Sequence, residues 1–133
     1  MPSIWTLGLG LVGAKIAFDI DYRPNLWGLA GHDAGEERYI KSGDVTAHLT
    51  PILGECDLIV GTEEELMIAG GEDTPLAALK AVRKHSKATI VMKRGPMGCV
   101  VFPDAIPDDI EKGIKGPGFP VEVYNVLGAG DAF

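Results

Sequence analysis

A chain of 133 residues, 46% of them apolar, has material for one modest core or for part of a larger domain, and no low-complexity tract signals disorder. A net charge of −7 with scattered basic residues excludes the usual footprint of a nucleic-acid or anionic-membrane partner. The opening Met1-Pro2-Ser3-Ile4 has no basic leader, no apolar run is long enough for a bilayer span, and Cys56 and Cys99 sit in apolar surroundings as expected free, buried thiols; a cytoplasmic protein is the expectation.

Along the chain, Ile16 to Ile20 reads as a short buried strand closed by Asp21, Tyr22, Arg23 and Pro24. Residues 25–42 are rich in glycine and charge and read as a loop. Asp44 is placed to cap a helix reaching about Leu53, with Pro51 expected to disturb its last turn. Asp57 to Gly61 is a second buried strand. Thr62-Glu63-Glu64-Glu65 has the spacing of a capping box, and the helix it opens should end at Gly70-Gly71. Thr74-Pro75 starts another helix, with Leu76, Leu79, Ala81 and Val82 on its apolar side and Lys84, His85 and Lys87 near its negative end. Thr89 to Lys93 is a third strand, and Gly95-Pro96-Met97-Gly98 turns it into a hairpin with Cys99 to Phe102. Asp104 to Gly118 reads as a surface excursion, and Val121 to Tyr124 as a last strand. Gly128-Ala129-Gly130-Asp131 follows as a tight turn opening a helix. This order gives an α/β fold with a largely parallel sheet.

Four segments carry chemistry. The Gly128-Ala129-Gly130 turn would aim backbone amides at one point, an arrangement that attracts anions, and the aspartate beside it suits a role in handling a proton or a metal. Asp19, Asp21 and Arg23 lie at the carboxyl end of a strand, where open α/β sheets place ligands; they read either as a solvated Asp–Arg pair or as a substrate site. Glu63, Glu64 and Glu65 exceed what a cap requires; Glu65 or a neighbour could help hold Mg²⁺ through water. Lys93 with Gly95 and Gly98 is either a hairpin turn with a basic flank or a border for nucleotide phosphates. Gly8-Leu9-Gly10-Leu11-Val12-Gly13 matches the dinucleotide fingerprint, but a strand follows where that motif needs a helix. His32, His48 and His85 are far apart and read as structural.

Taken in order, Asp19-Ile20-Asp21-Tyr22-Arg23-Pro24, Thr62-Glu63-Glu64-Glu65, Lys93-Arg94-Gly95-Pro96-Met97-Gly98 and Val126-Leu127-Gly128-Ala129-Gly130-Asp131-Ala132-Phe133 resemble the ribokinase-like (PfkB) carbohydrate kinases. The resemblance runs from about Ala14 to Phe133. It implies a ribokinase-like three-layer α/β/α fold and ATP- and Mg²⁺-dependent phosphorylation of a primary hydroxyl on a small-molecule sugar acid. By the family pattern Asp131 is the base on that hydroxyl, and the amides of Gly128, Ala129 and Gly130 form the anion hole. Lys93, Gly95, Gly98 and Thr62 lie on the nucleotide side, Glu65 near Mg²⁺, and Asp19, Asp21 and Arg23 along the substrate. Thr62 stands where the family has Asn, and Asn125 and Leu127 replace its usual Asp and Thr. Family members are more than twice this long. The expectation is therefore a poorly matching segment 1–13 and a partial kinase domain over 14–133, lacking the lid and the region that closes over the nucleotide, inactive by itself and with homo-oligomerisation left to the longer parent. Other sugar kinases of the family, or a non-catalytic or dinucleotide-binding fragment, are the alternatives.

Overall fold

The computed structural model describes residues 12–23, 43–130 and 133. They form a five-stranded sheet in the order β1-β2-β3-β4-β5, with β1 at Ala17–Asp19, β2 at Leu58–Thr62, β3 at Thr89–Lys93, β4 at Cys99–Phe102 and β5 at Ile114–Gly116. The first three strands are parallel, with Phe18 beside Ile59 and Ile59 beside Ile90. β4 returns antiparallel to β3, and β5 antiparallel to β4. Strand-to-strand crossovers between parallel neighbours need a long connection, and helices supply the one between β2 and β3.

Three helices carry the connections: α1 at Gly43–Gly54, α2 at Glu63–Gly70 and α3 at Pro75–His85. α1 holds its course through Pro51 to Gly54 because Val45, Leu49 and Leu53, one turn apart, are anchored in the core. α2 begins with the reciprocal capping box of Thr62 and Glu65 and stops at Gly71, which is left-handed (φ 68°) and donates its amide back into the last turn. α3 has Thr74 accepting from Ala77 N, Pro75 in its first turn and Arg83, Lys84 and His85 in its last.

Strand alternation decides which residues meet the helices. Ile59, Ile90, Met92, Val100 and Phe102 point to the helix side and pack with Leu66, Ile68, Leu79 and Val82 in one contiguous core. Arg83 ties this layer to the sheet, its guanidinium donating to the carbonyls of Ser86, Ala88 and Phe102 at 3.1, 2.7 and 3.0 Å. Among the described residues no helix is long and apolar enough to cross a membrane.

Two expectations are corrected. The fifth strand is not Val121 to Tyr124 but Ile114–Gly116, inside the segment read as a surface excursion. The reason is covalent reach: Asp109 caps a short 3₁₀ turn at Ile110–Lys112 that delivers the chain straight to the edge of β4. Residues 121–124 lie outside any strand, with Val121 and Val123 exposed, because β5 already occupies the open edge of β4.

Candidate active site

The same alternation that buries Ile59 and Ile90 sends Asp19, Val60, Thr62, Val91 and Lys93 to the face opposite the helices. Asp19 and Lys93 end the two strands that flank β2, so they meet across it at the carboxyl end of the parallel strands, the customary ligand crevice of an open α/β sheet. Lys93 Nζ lies 3.6 Å from Asp19 Oδ1, with its side chain only 14% exposed.

The glycine turn returns to this point. Its chain folds over itself through Leu127 N to Asn125 Oδ1 (2.9 Å) and Ala129 N to Val126 O (3.2 Å), with Gly128 at φ 73°. A β-carbon at Gly130 would stand 3.6 Å from Lys93 Nζ, and the ring of Phe133 is centred 5.8 Å from the same nitrogen. Lys93 thus sits between a carboxylate on β1 and the backbone of the turn. The Ala129 amide donates to the turn itself, whereas no bond among the described residues takes the amides of Gly128 and Gly130. Asp131, read as the catalytic base, lies outside the described residues.

On the substrate side, Asp21 and Arg23 form the exposed pair foreseen as one reading, Arg23 Nε donating to Asp21 Oδ2 at 3.3 Å. Asp21 adopts a positive φ of 36°, which a non-glycine residue takes only when its surroundings hold it. Tyr22 beside it is buried, which pushes its phenol pKa up, and its amide donates to Glu65 Oε2 at 3.0 Å. Glu65 Oε1 accepts from Thr62 N at 3.3 Å. The acid read as a Mg²⁺ neighbour therefore has each oxygen engaged by a backbone amide.

On the nucleotide side, a groove of about 230 Å³ is lined by Thr62, Glu63, Glu64, Lys93, Arg94, Gly95 and Met97. Gly95 opens a 3₁₀ turn over Gly95–Met97, closed by Arg94 N to Gly98 O at 2.8 Å. Gly98 is outside the groove lining; it has φ 86° and backs onto the carbonyl of Gly116 and the backbone of residues 117 and 118. Sequence reasoning passed over Arg94 as a basic flank. Its guanidinium bonds Glu63 at 2.9 Å and Glu111 at 2.6 Å, joining the start of α2, the hairpin turn and the 3₁₀ turn before β5. Lys115 adds a 2.6 Å contact to Glu111, and Lys115 and then Arg94 hold the Glu111 carboxyl below its ordinary range. The surplus of acid at the start of α2 was the available signal, since Glu63 is the one that Arg94 answers.

The donors suit a phosphate-bearing nucleotide: an ammonium on a half-buried shelf, two backbone amides and a permissive glycine turn. Mg²⁺ bound to phosphates needs only one or two protein carboxylates, and Glu64 stands exposed in the groove lining. Among the described residues no group of three or more His, Cys, Asp or Glu is arranged around a metal position. The dinucleotide alternative lacks its framework, because residues 14–23 contain β1 and no helix after Gly13.

The sequence and the fold both have relatives among known proteins. The chain is 28% identical over 127 residues to the 5-dehydro-2-deoxygluconokinase of Geobacillus thermodenitrificans, which covers 91% of this chain and 32% of that one. It is 25% identical over 125 residues to the enzyme of the same name from Halalkalibacterium halodurans, covering 90% and 32%. The chain thus spans about a third of the length of the curated relatives it matches. Aminoimidazole riboside kinase from Salmonella enterica shares the fold, with a TM-score of 0.68 at 19% identity over 96% of this chain and 37% of that one. So does a provisionally assigned ribokinase II from E. coli, solved with ATP and Mg²⁺, with a TM-score of 0.67 at 20% identity over 95% and 35%. Residues 40–133, most of the sequence, match the model of the pfkB family carbohydrate kinases, and on that match the chain belongs to this family.

Proposed function

We propose that this chain is the central part of an ATP-dependent kinase that phosphorylates a primary hydroxyl of a sugar acid, 5-dehydro-2-deoxy-D-gluconate, in the cytoplasm. The observation that carries the reading is the meeting of Asp19, Lys93 and the Gly128–Gly130 turn at the carboxyl end of the parallel strands. The substrate identity rests on the two curated relatives of that name.

In this reading the described residues from 14 onward form the floor of the site. Asp131 takes the proton of the attacking hydroxyl, a role typically contributing about 10²–10⁴-fold. The Gly128 and Gly130 amides, with the Lys93 ammonium, stabilise the charge that develops on the transferred group. Arg23 forks onto the acid's carboxylate, and Asp19 and Asp21 accept from its hydroxyls. Thr62, Lys93, Gly95 and Gly98 shape the nucleotide side, and Glu64 and Glu65 supply carboxylate for Mg²⁺. Bound ATP with Mg²⁺ supplies the phosphoryl group and neutralises its charge.

The test is ADP release, measured on this chain and on a Geobacillus relative in which the matching third has been replaced by it. The acceptors are 5-dehydro-2-deoxygluconate, 2-keto-3-deoxygluconate and fructose. Preference of the folded hybrid for the first, and its loss in Asp131→Asn, is expected. Preference for either other sugar would replace the substrate assignment, and absence of ADP release in a cooperatively melting hybrid would overturn the kinase reading.

A further inference from the structure

The Glu65 carboxylate joins two parts of the site that the sequence keeps 43 residues apart. One oxygen accepts from Thr62 N within the capping box; the other reaches across to Tyr22 N in the segment after β1. An ionised carboxylate has about four acceptor positions, so two remain after these bonds. The Tyr22 side chain is buried in the core on one side, and its neighbour Asp21 is held at positive φ with its side chain out and paired to Arg23. Gly61, which precedes the cap, allows the approach: a β-carbon there would stand 2.8 Å from Ile20 Cδ1. The backbone of residues 20–22 is therefore pressed against the end of β2 and the start of α2, with Ile20 N donating to Val60 O at 2.9 Å and Tyr22 N to Glu65 Oε2 at 3.0 Å.

We infer that Glu65 is a positioning residue for the substrate segment Asp21–Arg23, so that the acid on the nucleotide side of the cleft also sets where the substrate-binding side chains stand. The inference rests on the kinase reading for what Asp21 and Arg23 bind, but its structural half does not. Charge-assisted bonds from backbone amides to a carboxylate are short-range and directional, so a shift of Glu65 toward a ligand moves Tyr22 with it. Removing the carboxylate frees residue 21 from the unfavourable φ that the clamp maintains. Substrate affinity then falls while the Lys93 and Gly95 side of the groove keeps its geometry.

The structural half is read by amide hydrogen exchange at Tyr22, followed by NMR in the 133-residue chain. Glu65→Ala and Glu65→Gln are compared with Thr74→Ala, which removes a cap from α3 and weakens the helix layer without touching Glu65. Tyr22 exchange is expected to rise about tenfold or more in the Glu65 variants at a pH and temperature where all remain folded, and less than about threefold in Thr74→Ala. An unchanged rate in Glu65→Ala, or an equal rise in all three, overturns the inference. In the hybrid kinase the same Glu65→Gln change should raise the KM of the sugar acid about tenfold, alongside the altered Mg²⁺ dependence expected from losing a carboxylate placed near the metal. A sugar KM that stays within about twofold while only ATP or Mg²⁺ dependence alters overturns it as well. A wild-type hybrid without ADP release defeats the kinase reading, and the Tyr22 exchange comparison still decides the clamp.

Discussion

Gly95 and Gly98 bound the same turn, yet they face different surroundings, and substituting alanine at each separates the cost of backbone conformation from that of close packing. Gly95 has φ 55°, and a β-carbon there meets nothing within 4 Å. Alanine at 95 therefore costs only the left-handed backbone, about 1–2 kcal/mol. Gly98 has φ 86° with ψ −133°, a region reserved for glycine, at roughly 1–3 kcal/mol for any other residue. Its β-carbon would also strike backbone rather than movable side chain: the Gly116 carbonyl oxygen, and Pro117 C and Gly118 N, each at 2.6 Å. Displacing that backbone adds a further cost of about 1–3 kcal/mol. Gly98→Ala should thus be less stable than Gly95→Ala by about 2–3 kcal/mol, the general gain from stiffening the unfolded chain being common to both. For a chain of this size that separates their melting temperatures by about 6–12 °C. Urea unfolding with unchanged m-values, alongside thermal melts, measures the difference. Equal stability of the two variants would refute the claim that Gly98 serves the approach of residues 116–118. In the nucleotide reading Gly95→Ala keeps its fold and weakens ATP binding, so calorimetric titration with ATP and Mg²⁺ separates the two roles again.

Four further outcomes follow from the same structure. Ile90 is fully buried between Ile59 and Phe102, so Ile90→Ala should cost about 2–5 kcal/mol by urea denaturation; a loss below about 1 kcal/mol would mean the core collapses around the gap. Arg94→Met should destabilise the chain more at low than at high salt, the half-screened Arg94–Glu63 pair contributing on the order of 1 kcal/mol. Because Lys115 and Arg94 depress the folded-state pKa of Glu111 from its ordinary 4.5, its contribution is present above that value and is lost as pH falls through the lower folded one; Arg94→Met should flatten this part of the acid limb in melts taken from about pH 5 to pH 3. Burial, with Asp57 and Glu55 nearby, pushes the Cys56 thiol up to about 11, and its Sγ donates to Ile52 O at 3.2 Å, so roughly one in a thousand is thiolate at pH 8. Labelling with a disulfide reagent at that pH should modify half-buried Cys99 first and Cys56 only after unfolding; equal rates would contradict the burial of Cys56 in the connection between α1 and β2.

Local rules made most of the elements legible. Thr62 with Glu65, Thr74 with Pro75, and Gly71 each satisfy or end a helix with atoms a few residues away, so spacing is sufficient information. β2, β3 and β4 were equally plain because each is a short apolar run beside a turn signal. Residues 121–124 alternate apolar and polar side chains yet form no strand, whereas Ile114–Gly116, with one large apolar residue, does. Pairing decides that case: the free edge of β4 has room for one partner, and the segment nearer in sequence, led in by the Asp109 cap, occupies it. The glycine-rich site motifs were also legible as chemistry, but the Arg94 contacts to Glu63 and Glu111 were not, since they join residues 31 and 17 positions away.

Local sequence signals show where the parallel strands end and which residue types stand there: Asp19 after one apolar run, Thr62 at a cap, Lys93 before a turn. It takes the folded chain to bring Asp19 and Lys93 to 3.6 Å, to lay the Gly130 backbone against the same ammonium, and to put Glu65 on the Tyr22 amide. The difference is one of range. Caps, turns and alternation act through atoms within about one helical turn or one pleat, whereas strand register and side-chain pairing across the sheet are fixed by packing between segments that have no covalent proximity.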